Sequence, residues 1–506
     1  MAGRKKNGQP AMSGTQGTAA LHAVLWRAAD KLRGSMDAGK YKDFVLGLVF
    51  LKCVSEEAGT GDGAFRVPEG ARWDRLAGQA GSAGIGDLID GAMDAIMKAN
   101  PPLAGVLPKI FGPDNVDQRR LAELVGLIGG ARFTGQGQQR SRDVLGEVYE
   151  YFLDMFARAE GKRGGEFYTP ASLVKVLVEV LEPYSGRVYD PCCGTGGMFV
   201  QAEKFVLANQ GRRDDLAVYG QESNERTWRL ATMNLAIHGI DGNLSGRAED
   251  TFFADQHCDL KADFILANPP FNMSDWARET DDPRWRYGVP PAGNANFAWL
   301  QHIVHKLAAN GSAGVVMANG SMSSRQSGEG EIRTALVEAD LVACMVALPP
   351  QLFRTTQIPA CLWFFSGDKG PQGAKRLTDR RGDILFIDAR STGTLVDRTE
   401  RVLSDDDIAK IAGTYHAWRD TASARAAGLT YSDVPGYCYS ASLDEVRGHR
   451  HVLNPGRYVG FAESADLDDE PAAAKIDRLT SELIACFDES ARLSLAVRSL
   501  LERLDA

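Results

Sequence analysis

Arg187-Val188-Tyr189-Asp190-Pro191-Cys192-Cys193-Gly194-Thr195-Gly196-Gly197-Met198-Phe199 is the stretch that decides the fold. A short apolar run ends on an acid. Three glycines in four positions follow, and then a helical pattern opens. Such glycines permit positive φ and let a ligand approach the backbone closely. The pattern departs from the dinucleotide fingerprint G-x-G-x-x-G, because Phe199 fills the third glycine position and obstructs the close packing that fingerprint needs. An acid before a short glycine turn suits a ligand with an amino-acid or nucleoside end rather than a pyrophosphate. An ordinary strand-to-helix turn has little use for three glycines in four positions.

Outward from this turn, short apolar strands alternate with helices. Strands end at Asp190, Glu222 and Asn268, and further strands are expected at 313–318, 341–348 and 383–388. Helical periodicity covers 171–182, 197–209, 224–238, 296–309 and 329–339. This alternation predicts an open, mostly parallel α/β sheet, which binds ligands at the carboxyl ends of its strands. Upstream, Leu21 to Glu57, 86–99 and 116–128 read as helices, and a further helix is expected at Val144–Ala159. Residues 389–460 are less regular, and 472–505 is helical with Ile476, Leu479, Leu483 and Phe487 on one face. The expected organisation is a flexible tail (1–20), an all-α domain (21–142), the α/β domain (143–460), and an acidic linker with a C-terminal helix (461–506).

Two strand ends besides Asp190 carry chemistry. Glu222 follows the glycine turn by one helix and one strand, where a carboxylate can accept two ribose hydroxyls. Asn268-Pro269-Pro270-Phe271 follows Asp263–Ala267. Two prolines stop the strand and stiffen the turn. The Asn268 amide oxygen and the Pro269 carbonyl are acceptors, and the Phe271 ring beside them can stack on a flat ligand. The set fits a planar base bearing an exocyclic amine.

These motifs resemble those of the S-adenosylmethionine-dependent amino-group DNA methyltransferases. Within them the chain is similar to the modification subunit of type I restriction-modification systems, of the N6-adenine class. The likeness rests on GEFYTP (165–170), DPCCGTGGMF (190–199), the Glu222 segment, MNLAIHGI (233–240), ANPPFN (267–272) and LPPQLFRTTQIP (348–359). RVPEGARWDRL (66–76) and LNPGRYV (453–459) extend it over nearly the whole chain. Cys192-Cys193 departs from the small residues more usual there.

The resemblance implies a Rossmann-like methyltransferase sheet and a reaction. S-adenosyl-L-methionine would be held by Glu166, Phe167, Tyr168, Thr169, Pro170, Asp190, Gly194, Thr195, Gly196, Gly197 and Glu222, with Asp250 near the cofactor adenine. Asn268 and Pro269 would accept the amino hydrogens of a flipped adenine, with Pro270 stiffening the turn and Phe271 stacking on the base. Implied partners are double-stranded DNA, a specificity subunit shared by two modification subunits, and a restriction subunit. Methylation of another amine (cytosine N4, RNA or a protein glutamine) and a non-catalytic cofactor-binding scaffold remain open. The C-terminal helix is a candidate docking element.

Composition sets bounds. The 506 residues carry a net charge of −9, of which 461–489 contribute nine acids and two bases. This argues against a protein that coats nucleic acid by bulk charge. The eight cysteines form no C-x-x-C pair, and neither they nor the histidines suggest a metal site. Together with the absence of a secretory signal and of any apolar run long enough to span a bilayer, they point to a cytoplasmic protein with structural thiols. Gly34–Tyr41 nearly matches a phosphate-binding loop, but Tyr41 stands where Ser or Thr is needed, so it reads as a helix connection. Pro191-Cys192 lies inside the glycine turn, so a structural cysteine is expected there rather than a nucleophile. Two basic clusters are candidate DNA-phosphate contacts: Arg119, Arg120, Arg132, Arg140 and Arg142, and the loop Arg284-Trp285-Arg286-Tyr287.

Overall fold

A computed structural model describes residues 38–60, 65–130, 146–153, 155, 169–353, 359–398, 400–461, 476–488, 490 and 492–493. Two compact units divide at Gly460–Phe461. Glu166, Phe167 and Tyr168 lie outside the described residues, as do Arg132, Arg140, Arg142 and the first half (34–37) of the phosphate-loop look-alike.

Within the first unit, helices α1 (Ala38–Thr60), α2 (Trp73–Gly78), α3 (Ile85–Ala99) and α4 (Gln118–Gly129) pack together. The α1 run Phe44–Leu46, Leu48–Leu51, Cys53 and Val54 is buried on all sides, which explains a hydrophobic pattern with no solvent stripe. Helix α1 is joined to the sheet domain by an Arg226–Asp43 ion pair at 2.8 Å.

Nine strands form the sheet: β1 (Gly186–Asp190), β2 (Leu216–Gly220), β3 (Gly242–Asn243), β4 (Ala262–Ala267), β5 (Leu307–Ala318), β6 (Val342–Ala347), β7 (Ala360–Ser366), β8 (Asp383–Asp388) and β11 (Cys438–Ser442). A separate ribbon pairs β9 (Thr394–Leu395) with β10 (Arg401–Val402). The sheet order is β11-β8-β6-β7-β5-β4-β1-β2-β3. Strand β7 runs antiparallel to β5 and β6, and β11 antiparallel to β8; the other pairs are parallel. The mostly parallel expectation therefore holds. Both faces are covered by helices, among them α5 (Ala171–Leu181), α6 (Gly197–Ala208), α7 (Glu225–His238), α8 (Asn296–Lys306) and α9 (Glu329–Glu338).

Residues 389–460 are more regular than their sequence suggested. They contain α10 (Asp405–Arg419), α11 (Ala422–Ala427), strand β11 and α12 (Leu443–Gly448). Helix α10 has a capping box between Ser404 and Asp407 and three aspartates in its first turn, a start signal legible in the sequence. Helix α8 also ends three residues short of its expected bound, because the chain enters β5 at Leu307.

In parallel register β1 lies between β2 and β4. The chain winds to one side through β2 and β3 and to the other through β4 and β5. The carboxyl ends of β1 and β4 therefore flank the point where the winding reverses, the expected ligand crevice of such a sheet.

Candidate active site

At the end of β1 the Asp190 carboxylate is buried and accepts the Cys192 N–H at 3.0 Å. The turn then closes on itself, with Gly196 N–H donating to the Cys193 carbonyl at 2.8 Å. Gly194 (φ 54°) and Gly196 (φ 80°) take the left-handed conformation the sequence called for. A Cβ placed on Gly194 or Gly197 would meet nothing within 4 Å, so the turn presents bare backbone to open space. Below it, Asn234 of α7 donates to the Thr195 carbonyl at 2.9 Å.

Glu222, two residues beyond β2, accepts the N–H of Gly194 at 3.0 Å and of Asn224 at 2.8 Å. The acids of the two strand ends thus share one turn. Burial, with the Glu222 charge adding to it, pushes the Asp190 carboxyl up to about 7. Burial and these carboxylates also push the Cys192 and Cys193 thiols well above their usual range, as structural cysteines require.

Asp250 caps its own turn, accepting from Phe252 N–H (2.8 Å) and Phe253 N–H (2.9 Å). Two residues that sequence reasoning missed fix this turn beside the others. Gln221 donates to the Glu249 and Ala254 carbonyls, and the Thr251 hydroxyl donates to the Pro191 carbonyl at 2.6 Å. Gln221 was within reach of sequence reading, since it stands next to Glu222.

At the end of β4, Asn268 donates its side-chain N–H to Thr169 Oγ1 at 2.9 Å, while its Oδ1 is buried with no partner among the described residues. A buried acceptor left unpaired costs about 1–3 kcal/mol, so one held in a crevice signals an absent donor. Pro170 caps α5, and Phe271 packs edge-on against Phe353 with ring centroids 5.8 Å apart. Asn272 (φ 55°) and Asn296 clasp reciprocally, N–H to amide oxygen at 3.0 Å and amide nitrogen to amide oxygen at 2.9 Å. This clasp anchors the turn to α8, and no sequence signal marked Asn296.

One expectation fails. Arg284 and Trp285 are buried rather than free to meet a phosphate. Arg286 is exposed and lies 5.9 Å over the Tyr287 ring. Arg119 and Arg120 are exposed, at the start of α4 where Asp117 accepts their N–H groups. Among the described residues no group of His, Cys, Asp and Glu is placed to hold a metal ion.

The doubly wound sheet, with acids after its first two strands and an amide-bearing turn after the fourth, defines a Rossmann-like methyltransferase. A family model described as N-6 DNA methylase matches residues 140–466, and a model of the HsdM N-terminal domain matches residues 21–128. The HindI type I restriction enzyme methylase subunit of Haemophilus influenzae is 49% identical over 427 residues, covering 83% of this chain and 92% of the relative. The MjaIX methylase subunit of Methanocaldococcus jannaschii is 34% identical over 526 residues, covering 95% and 90%. The crystal structure of a type I restriction-modification methyltransferase subunit from Streptococcus thermophilus shares the fold with a TM-score of 0.73, at 23% identity over 88% of this chain and all of that one. The chain belongs to the N-6 DNA methylase family, among the methylase subunits of type I restriction enzymes.

Proposed function

We propose that this subunit transfers a methyl group to N6 of an adenine flipped out of double-stranded DNA, at a site chosen by a separate specificity subunit. Two copies per specificity subunit, a restriction subunit and a cytoplasmic location complete the reading. The observation that carries it is the buried Oδ1 of Asn268, unpartnered among the described residues, whose amide is held by Thr169.

The adenine amino nitrogen is a poor nucleophile because its lone pair is delocalised into the ring. Asn268 Oδ1 and the Pro269 carbonyl accept its two hydrogens and so localise that pair on nitrogen. Asn cannot serve as a general base, so its contribution is orientation and electrostatics. Pro270 stiffens the turn. Phe271 holds the base by stacking, at about 1–3 kcal/mol.

S-adenosyl-L-methionine, when bound, supplies the electrophilic methyl. The residues present fit it. The open backbone at Gly194 and Gly197 admits a close ligand, and the Asp190–Glu222 pair favours one that is cationic. Asp190, Gly194, Thr195, Gly196 and Gly197 hold its methionine part with Thr169 and Pro170, Glu222 takes the ribose, and Asp250 meets the adenine.

The test is transfer from tritiated cofactor to DNA by the reconstituted complex, followed by mass spectrometry of the nucleosides. N6-methyladenine is expected. N4-methylcytosine, or label only in RNA or protein, would replace this reading.

A further inference from the structure

Arg284 was expected in a DNA-facing loop, and its surroundings give it another task. Its guanidinium has five N–H donors, and every one is used inside the protein. Nε donates to Asp282 (2.9 Å to Oδ1, 2.8 Å to Oδ2). One terminal nitrogen donates to the Thr251 carbonyl at 2.9 Å and faces His302 Nδ1 at 3.2 Å. The other donates to the Phe252 carbonyl at 3.0 Å and pairs with Asp282. No donor remains for a phosphate.

The neighbours lock this arrangement. Arginine always donates, so His302 Nδ1 must accept, and the His302 proton sits on Nε2, toward the Tyr189 hydroxyl at 3.1 Å. Burial, reinforced by the Arg284 charge, keeps His302 neutral. The guanidinium carbon also lies 5.6 Å over the Phe252 ring and 5.3 Å over Trp285. Phe252 in turn packs against Trp276 and Trp299, with centroids 5.0 and 4.4 Å away.

Both carbonyls that Arg284 grips belong to the turn that Asp250 opens. With its N–H groups turned to Asp250 and its carbonyls to Arg284, the turn is fixed from both sides. Arg284 itself stands on the segment between the Asn268 turn and α8. We propose that Arg284 is a positioning residue: through the Thr251 and Phe252 carbonyls it sets the Asp250 turn for the cofactor's adenine end, and it does not contact DNA. This rests on the cofactor reading above.

The test uses the full chain and S-adenosylhomocysteine, with the analogue carrying hypoxanthine in place of adenine as a second probe. Arg284→Lys keeps the charge but cannot span both carbonyls and Asp282. It is expected to weaken S-adenosylhomocysteine binding tenfold or more and to shrink the preference for adenine over hypoxanthine. Asp250→Ala should weaken binding similarly, and adding Arg284→Lys to it should cost little more, because both act through one turn. Asp282→Asn, which leaves the guanidinium but removes its aligning charge, is expected to weaken binding three- to tenfold and serves if the lysine variant does not fold. Unchanged cofactor affinity, with the salt slope of DNA binding reduced by about one, would make Arg284 a phosphate contact and overturn the proposal. Additive losses in the double variant, with adenine preference intact, would reduce it to general stability. If the folded wild-type chain binds neither probe, the cofactor reading fails first and takes this proposal with it.

Discussion

At the scale of single residues, Asn268 and Asp190 make opposite demands on a ligand. Asn268 Oδ1 waits for a donor. Asn268→Ala is expected to lower kcat by about 10²–10³, the range for removal of one preorganised polar group. S-adenosylhomocysteine binding should fall far less than turnover, because the Asp190 turn is untouched and only the amide contact to Thr169 is lost. Wild-type turnover in that variant would remove Asn268 from the chemistry. Asp190, by contrast, is a carboxyl raised to about 7 mainly by burial. In the free protein the stability it contributes is fully present below about pH 4 and is lost as pH rises through 7, where a buried charge forms. A cationic ligand favours the ionised form, so binding below pH 7 must release a proton. Affinity for S-adenosylmethionine should therefore rise with pH, by up to about tenfold per unit, and level off above 7. Calorimetry at pH 6.5 in buffers of different ionisation enthalpy measures the released proton. Asp190→Asn should abolish both the release and the slope. A pH-independent affinity in the wild type would place the cation elsewhere.

At the scale of elements, the loop after the Asp250 turn is secured by a buried lysine. Lys306, the last residue of α8, is fully buried; it donates to the carbonyls of His257 (2.7 Å) and Cys258 (3.2 Å) and pairs with Asp255. Lys306→Ala leaves that carboxylate and both carbonyls without their cation. It should cost roughly 3–5 kcal/mol, read as a lower urea midpoint. A shift equivalent to under about 0.5 kcal/mol, typical of surface substitutions, would show that water replaces the ammonium. The elements that sequence reading found carry their own punctuation: the glycine turn before α6, or α7 with Asn224 capping its start and Gly239 (φ 70°) its end. Those it missed do so unevenly: α10 carries a capping box that went unread. Strand β7, Ala-Cys-Leu-Trp-Phe-Phe-Ser, is buried at every position, so no alternation marks it. The Thr169–Asn268 bond joins residues 99 apart in sequence. Arg284 was misread for a related reason: a charge in a loop looks solvated until the tertiary fold brings carbonyls from 33 and 32 residues away to meet it.

At the scale of the whole molecule, the charge balance constrains how DNA is held. Outside 461–489 the chain has 55 bases and 57 acids. A surface so nearly neutral displaces few counterions. On the proposed division of labour, in which a partner supplies the basic surface and the recognition, the isolated subunit is expected to bind duplex DNA weakly at physiological salt and with little sequence preference. The exposed apolar face of Ile476, Leu479, Leu483 and Phe487 is a candidate seat for that partner, and it lies in the most acidic part of the chain. Two effects of deleting 461–506 can therefore be separated. Bulk electrostatics alone predicts tighter DNA binding, since 461–506 holds eleven acids and five bases and a net six negative charges leave with it. Docking predicts the reverse once the specificity subunit is present: the truncated chain should keep S-adenosylhomocysteine affinity yet fail to enter the complex, and DNA affinity should fall to that of the isolated subunit. Mobility-shift titrations across salt concentrations, with and without the specificity subunit, distinguish the two. Tight, site-specific binding by the isolated full chain would overturn the division of labour altogether.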